Sequence, residues 1–413
     1  MSKARTRSLR AGKNGQSCFK IATDRRQDSH GITDPVISGH PIHIRGNPVT
    51  MRIGIDGRAL QDQPWGGVGH YTYQLLHALF SLDKENEYTV SYNARGVLTI
   101  PTFSAYPNVK INRTYLPNKL LNFSIKTFNR PLLDLGPIDL FFLPNPNFVA
   151  LLPGVKLVAV AHDLSFEHFP EFLPLKSRLW HRAVNPRTLF NRADHIIAVS
   201  EHTKNDLMET YTIANEKVTT VYPGVKMQNA ECRMQNAQPY ILSLGALEPR
   251  KNIEGLIQAY ELSEPHEQLV IAGLTTPYVK HLKKRIAKSP LRTKIALIEN
   301  PTEEQKNDLY CRASLFVYPS FYEGFGFPPL EAMSAGVAVV ASSASSVREV
   351  CNEAALLVNP WDSTEIAQGM KILLEDETLR TRYIEAGKKR VAQFRWDTSA
   401  RKVLNIFKTL YPR

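Results

Sequence analysis

The chain has 413 residues, 43% hydrophobic and 22% charged, with a net charge of +12. This composition suits a soluble globular protein long enough for two domains and excludes collagen-like and low-complexity classes. No apolar stretch reaches the length of a membrane-spanning helix, no secretory pattern is expected, and half of the positive excess sits in the first fifty residues, which argues against a nucleic-acid-binding body.

Residues 1–50 hold nine Lys/Arg against three Asp/Glu and show no period of 2 or 3.6, so they read as disordered or as an extension outside the fold. Met51 to Asp56 reads as a short buried strand, followed by a glycine-rich loop, Trp65-Gly66-Gly67-Val68-Gly69. His70 to Leu82 then places Tyr71, Leu75, Leu79 and Leu82 on one helical face. A glycine loop between strand and helix lets backbone approach a ligand, although a tight turn alone would explain these residues.

Further strand-like runs cover Tyr88–Tyr92, Ile138–Leu143, Leu157–Ala161 and His195–Val199, with helical segments between them. This alternation implies a parallel sheet covered on both faces. Lys119–Arg130 is basic and amphipathic; a surface helix is the plain reading and a membrane-surface contact the sharper one. His162 closes the Leu157–Ala161 run, at a strand end that points into a ligand crevice, and Ser200 is placed to cap the helix beginning at Glu201.

The polar, patternless stretch 226–238 reads as a linker, with one domain over 51–225 and a second over 239–395. Tyr240–Gly245 opens the second alternating set and leads into Glu248-Pro249-Arg250-Lys251-Asn252, which places two cations just before a helix start. Leu269–Gly273 and Ser314–Tyr318 are its next strands, and Thr302 with Gln305 is a capping-box pattern. The four cysteines, Cys18, Cys232, Cys311 and Cys351, lack metal-ligand spacing and read as reduced thiols.

After Tyr318 comes the most informative stretch, Pro319-Ser320-Phe321-Tyr322-Glu323-Gly324-Phe325-Gly326-Phe327-Pro328-Pro329-Leu330-Glu331-Ala332-Met333. It is a strand, a glycine-rich turn and a helix start, which aims backbone N–H groups and a helix dipole at one point suited to phosphate. Glu323 falls in the turn and Glu331 in the first helical turn, so both carboxylates can face one ligand. Val337–Ala341 is a further strand, and Asp397–Leu410 a terminal helix.

The run Pro319 to Gly336, with its Glu-x7-Glu spacing, resembles the signature of retaining glycosyltransferases of family 4, a GT-B family, and the resemblance spans about residues 51–410. It implies two Rossmann-like α/β domains facing a central cleft: an acceptor domain (51–225) and a nucleotide-sugar domain (239–395), with a helix in 396–413 returning to the first. It further implies that Glu323, His162, Lys251 and Arg250 act in catalysis, and that Gly66, Gly67, Val68, Gly324, Phe325, Gly326 and Glu331 bind the donor. Glu331 would accept from the ribose diol, and Glu323 and His162 would orient the sugar. Ala246 departs from the Arg that many relatives carry after the glycine, so a two-pronged clamp stays open; Lys251 takes the assignment first and Arg250 shares it with a structural role.

No metal or other cofactor is expected; the donor would be a nucleoside diphosphate sugar, GDP-mannose as the first choice. The acceptor would be lipid-linked or a polysaccharide, for lipopolysaccharide or exopolysaccharide assembly. A cytoplasmic protein, with peripheral contact at the inner membrane face as an option, fits that setting. A catalytically silent nucleotide-binding scaffold and a nucleotide-sugar epimerase remain the alternative readings.

Overall fold

Runs of Val, Ile, Leu and Phe too short for helices become parallel strands, buried on both faces. The computed structural model describes residues 50–61, 65–93, 103–115, 122, 124, 125, 135–150, 153–226 and 239–411. Seven strands form the first sheet: β1 (Arg52–Asp56), β2 (Glu87–Asn93), β3 (Val109–Thr114), β4 (Leu140–Leu143), β5 (Lys156–Ala161), β6 (His195–Ala198) and β7 (Val218–Thr220). Their order is β3-β2-β1-β4-β5-β6-β7, and each adjacent pair is parallel.

Six strands form the second: β8 (Tyr240–Leu244), β9 (Gln268–Gly273), β10 (Ile295–Glu299), β11 (Ala313–Tyr318), β12 (Val339–Ser342) and β13 (Leu356–Val358). Their order is β10-β9-β8-β11-β12-β13, again parallel throughout. In each sheet the order reverses once, beside β1 and beside β8. Such switch points open crevices at the carboxyl ends of the strands, which is where ligands bind in this architecture. These are the two Rossmann-like halves of a GT-B fold.

The first long helix, Gly67–Leu82, starts three residues earlier than its apolar stripe suggested, with Gly66 as its extended N-cap. The Ser200 cap and the Thr302–Gln305 capping box form as read. Strands β3, β10 and β13 lie at or next to sheet edges and carry half-exposed residues. β3 interleaves polar residues with its apolar ones, and the apolar runs of β10 and β13 are too short to tell from a helical segment by their period.

The C-terminal helix, Trp396–Leu410, crosses back to the first half. Phe407 meets Phe142 of β4 at a ring separation of 5.4 Å, and Trp396 meets Tyr71 of the first helix at 5.7 Å. Gly224 is a site of close approach: a Cβ there would lie 2.2 Å from the Trp396 nitrogen. One buried cluster therefore runs from Ile53, Leu75 and Phe142 through Phe325 and Phe394 to Leu242 and Phe316, joining both halves.

Cys311 is disulfide-bonded, which overturns the expectation of a reduced thiol there, whereas Cys351 is a buried free thiol. The N-terminal extension (1–49), the linker apart from Lys226 and most of Lys119–Arg130 lie outside the described residues. Among the described residues no helix is long and apolar enough to cross a membrane.

Candidate active site

The turn after β11 folds around a single carboxylate. Glu323 Oε1 accepts from Lys251 Nζ at 2.6 Å, the Ser320 hydroxyl at 2.6 Å and the Tyr318 hydroxyl at 2.9 Å. Oε2 accepts from Arg250 Nη1 at 2.9 Å. Burial works against a charge here, but Arg250 and Lys251 outweigh it and hold the Glu323 pKa down to about 2. Burial, together with the neighbouring Arg250, pulls the Lys251 ammonium below the ordinary lysine range. Lys251 also donates to the Tyr318 hydroxyl at 2.8 Å, so cation, phenol and carboxylate close a triangle.

The loop supplying the cations is fixed by its own turn chemistry. Asn252 adopts a left-handed backbone (φ 54°), a conformation Asn tolerates well. Its side chain caps the next helix through Gly255 N and donates to Pro319 O at 3.1 Å and Pro360 O at 2.6 Å. Arg250 completes the join: Nη1 donates to Tyr322 O at 2.6 Å, Nη2 to Glu248 at 2.7 Å, and its carbonyl accepts from Phe321 N at 3.0 Å. These bonds tie the Arg250 loop to the motif turn.

On the other side, the motif turn abuts the end of β5. A Cβ on Gly324 would lie 1.7 Å from the His162 carbonyl oxygen, so this position requires glycine for close approach. The Thr203 hydroxyl sits between the carbonyls of His162 and Gly324, at 3.3 and 3.2 Å. Tyr322 donates its hydroxyl to Asp206 and accepts from Leu164 N at 3.2 Å. Glu349 reaches across to accept from Glu201 N at 2.8 Å and His202 N at 2.9 Å, capping a helix of the opposite half.

His162 is half-buried at this junction. Its Nε2 lies 2.8 Å from the Pro144 carbonyl, which only accepts, so Nε2 carries the proton and Nδ1 is the acceptor. Burial pushes its pKa below the usual histidine value against the pull of that carbonyl and Asp163, which favours a neutral ring at pH 7.

Four of the expected residues, Glu323, Lys251, Arg250 and His162, are thus brought to one junction. Gly326 has φ +107°, the left-handed region that favours glycine, and ends the turn where the helix Phe327–Ser334 begins. That start leaves Glu331 in the second helical turn rather than the first, where it accepts from the Tyr310 hydroxyl at 2.8 Å. Phe325 packs against Phe327 and Phe394 at 5.1 and 5.5 Å, so any ligand contact it makes is through its backbone. Gly66 and Gly67 have open space where a Cβ would be, and the helix they start meets the motif where His70 approaches Phe327 at 6.4 Å. A small recess beside the cluster is lined by Ser243, Gly245, Ala246, Leu247, Lys251 and Tyr318, among others.

Sequence reasoning passed over Tyr318, Ser320, Tyr310 and Glu349. For Tyr318 a signal existed: it ends a parallel strand, as His162 follows one, and such positions face the crevice. Ser320 and Tyr310 read as ordinary motif and helix residues, and Glu349 acts only through a fold-level contact. Among the described residues no group of three or more His, Cys, Asp or Glu side chains could hold a metal ion.

Comparison with known proteins agrees with this geometry. The model for glycosyl transferases group 1 matches residues 228–390 and that for Glycosyltransferase Family 4 matches residues 65–229. The chain is 27% identical over 370 residues to an O-antigen chain mannosyltransferase B from Escherichia coli, covering 84% of this chain and 97% of that protein. It is 31% identical over 283 residues to the serotype-specific mannosyltransferase WbdA, also from Escherichia coli; the match covers 62% of this chain but only 34% of that longer protein. A sucrose-phosphate synthase from Thermosynechococcus elongatus superposes with a TM-score of 0.70 at 19% identity, over 87% of this chain and 98% of that one, which bears on fold alone. The chain is a family 4 glycosyltransferase of GT-B fold, distantly related to bacterial mannosyltransferases.

Proposed function

We propose that this enzyme moves a hexose, mannose first, from a nucleoside diphosphate sugar to a lipid-linked or polysaccharide acceptor in cell-surface polysaccharide assembly. The carrying observation is the buried Glu323 carboxylate held by Lys251, Arg250, Tyr318 and Ser320 against the His162 strand end. Both relatives are mannosyltransferases, which supports the sugar, and the O-antigen role of one supports the setting.

In this reading the bond between the sugar C1 and the β-phosphate oxygen breaks while the acceptor oxygen bonds C1 from the same face. The acceptor proton passes to the departing phosphate oxygen, so configuration is retained. Lys251, Arg250, the helix start after Gly326 and the loop Gly66–Val68 take up the charge that builds on the diphosphate. Glu331, fixed by Tyr310, accepts from the ribose diol. Glu323 stays ionised beside the anomeric carbon and offsets positive charge developing there, while His162 orients the sugar through Nδ1.

Incubation of the full chain with GDP-mannose and membranes bearing lipid-linked saccharides, followed by NMR of the product's anomeric proton, tests this reading. An α-mannosyl product from the α-linked donor is expected. An inverted product contradicts the mechanism; transfer from a different sugar nucleotide alone contradicts the choice of mannose. No transfer from any donor would favour the silent scaffold.

A further inference from the structure

We propose that the helix Leu175–Val184, with the helix Pro186–Arg192 behind it, docks on an anionic lipid bilayer. Leu175 and Leu179, one helical turn apart, are 66% and 58% exposed. Lys176, Arg178 and Arg182 are exposed around them, and Arg187 and Arg192 continue the exposed positive charge along the next helix. From Leu173 to Ala193 there are five Lys/Arg and no Asp or Glu. None of these five cations pairs with a carboxylate among the described residues. The basic helix Val279–Ala287, by contrast, pairs Lys283 with Glu299 and Arg285 with Glu261.

Apolar side chains facing water inside an unpaired cationic patch match an interface of acyl chains below phosphate headgroups. A second copy of the chain would set the same five cations against themselves, which disfavours a symmetric dimer through this face. A nucleic acid would satisfy the charges but not the two leucines. Docking here would bring the catalytic half-cleft to the lipid surface, because Phe172, just ahead of this helix, stacks on Phe321 of the motif turn at 5.8 Å. It rests on the lipid-linked acceptor reading only for its purpose; the binding itself is independent of turnover.

The test is co-sedimentation of the full chain with vesicles of phosphatidylcholine alone and of phosphatidylcholine with phosphatidylglycerol. The wild type is compared with two double variants, Leu175→Ser with Leu179→Ser and Arg178→Glu with Arg182→Glu. All keep the N-terminal residues, so those contribute equally to each. The wild type should bind the anionic vesicles, and each double variant should bind them roughly tenfold more weakly. Nucleotide-induced thermal shifts, read on the same samples, should be unchanged and show that the variants are folded. Equal binding of variants and wild type, or no preference for the anionic vesicles, would overturn the proposal. So would a concentration-dependent dimer that the leucine variants dissolve, or selective retention by RNA with none by vesicles.

Discussion

Glu323 is ionised in a buried place because two cations face it, and this makes it sensitive to charge removal. Replacing it with Gln leaves Arg250 and Lys251 short of a counter-charge, for which a loss of about 3 kcal/mol is expected near neutral pH in urea unfolding. The pH dependence has a definite sign. The folded-state pKa lies below the ordinary 4.5, so the stabilisation is full above that value and fades as pH falls through about 2. The gap between wild type and Glu323→Gln should therefore narrow in acid; a gap that widens there would mean the carboxylate is not held by cations. Turnover by the variant should drop roughly 100-fold or more. His162 has a depressed pKa, so NMR titration should find it neutral from pH 7 down past the ordinary 6.5. A ring that is protonated at pH 7 would contradict the burial that defines it. Glu323, Lys251 and Arg250 were legible as residues from one motif and one charged loop. Their mutual bonding was not, because about seventy residues separate loop and motif and only the fold joins them.

At the scale of elements, buried strands and capped helices were readable because each carries a local signature. Edge strand β3 lacks one, since much of its surface faces solvent, and the apolar runs of β10 and β13 are too short to tell from a helical segment. The cap that Glu349 places on the helix Glu201–Tyr211 was also beyond local pattern: Ser200 already fits the cap position, and a second carboxylate arrives from the other half. Glu349→Ala should cost about 1 kcal/mol and speed amide exchange at Glu201 and His202, with little change at the helix end. Unchanged exchange at those two amides would show that the contact holds nothing. Gly324→Ala tests the close approach to His162 more severely. The turn must retreat from the β5 end, so transfer should fall strongly while nucleotide binding by the second half persists. Loss of both together would show instead that the substitution unfolds the site.

At the scale of the whole molecule, two sheets of the same design share one apolar cluster and one returning helix. The alternating strand and helix pattern announced that doubling, whereas the return of the terminal helix was implied only by the family resemblance. Phe407 is buried against Phe142 in the first half, so Phe407→Ala should lower stability by roughly 3–4 kcal/mol, measured by urea denaturation. A cost under about 1 kcal/mol would mean the helix is only loosely applied. The central claim is that the second half holds a nucleoside diphosphate between the Arg250–Lys251 loop and Glu331. The most direct measurement is the melting temperature of the purified chain with GDP, UDP, TDP and ADP, with Glu331→Ala alongside. A ligand bound only by the folded state raises that temperature. The account predicts a rise with GDP above the other three, and its loss in the variant. No rise with any nucleotide, or an equal rise in wild type and Glu331→Ala, would contradict it.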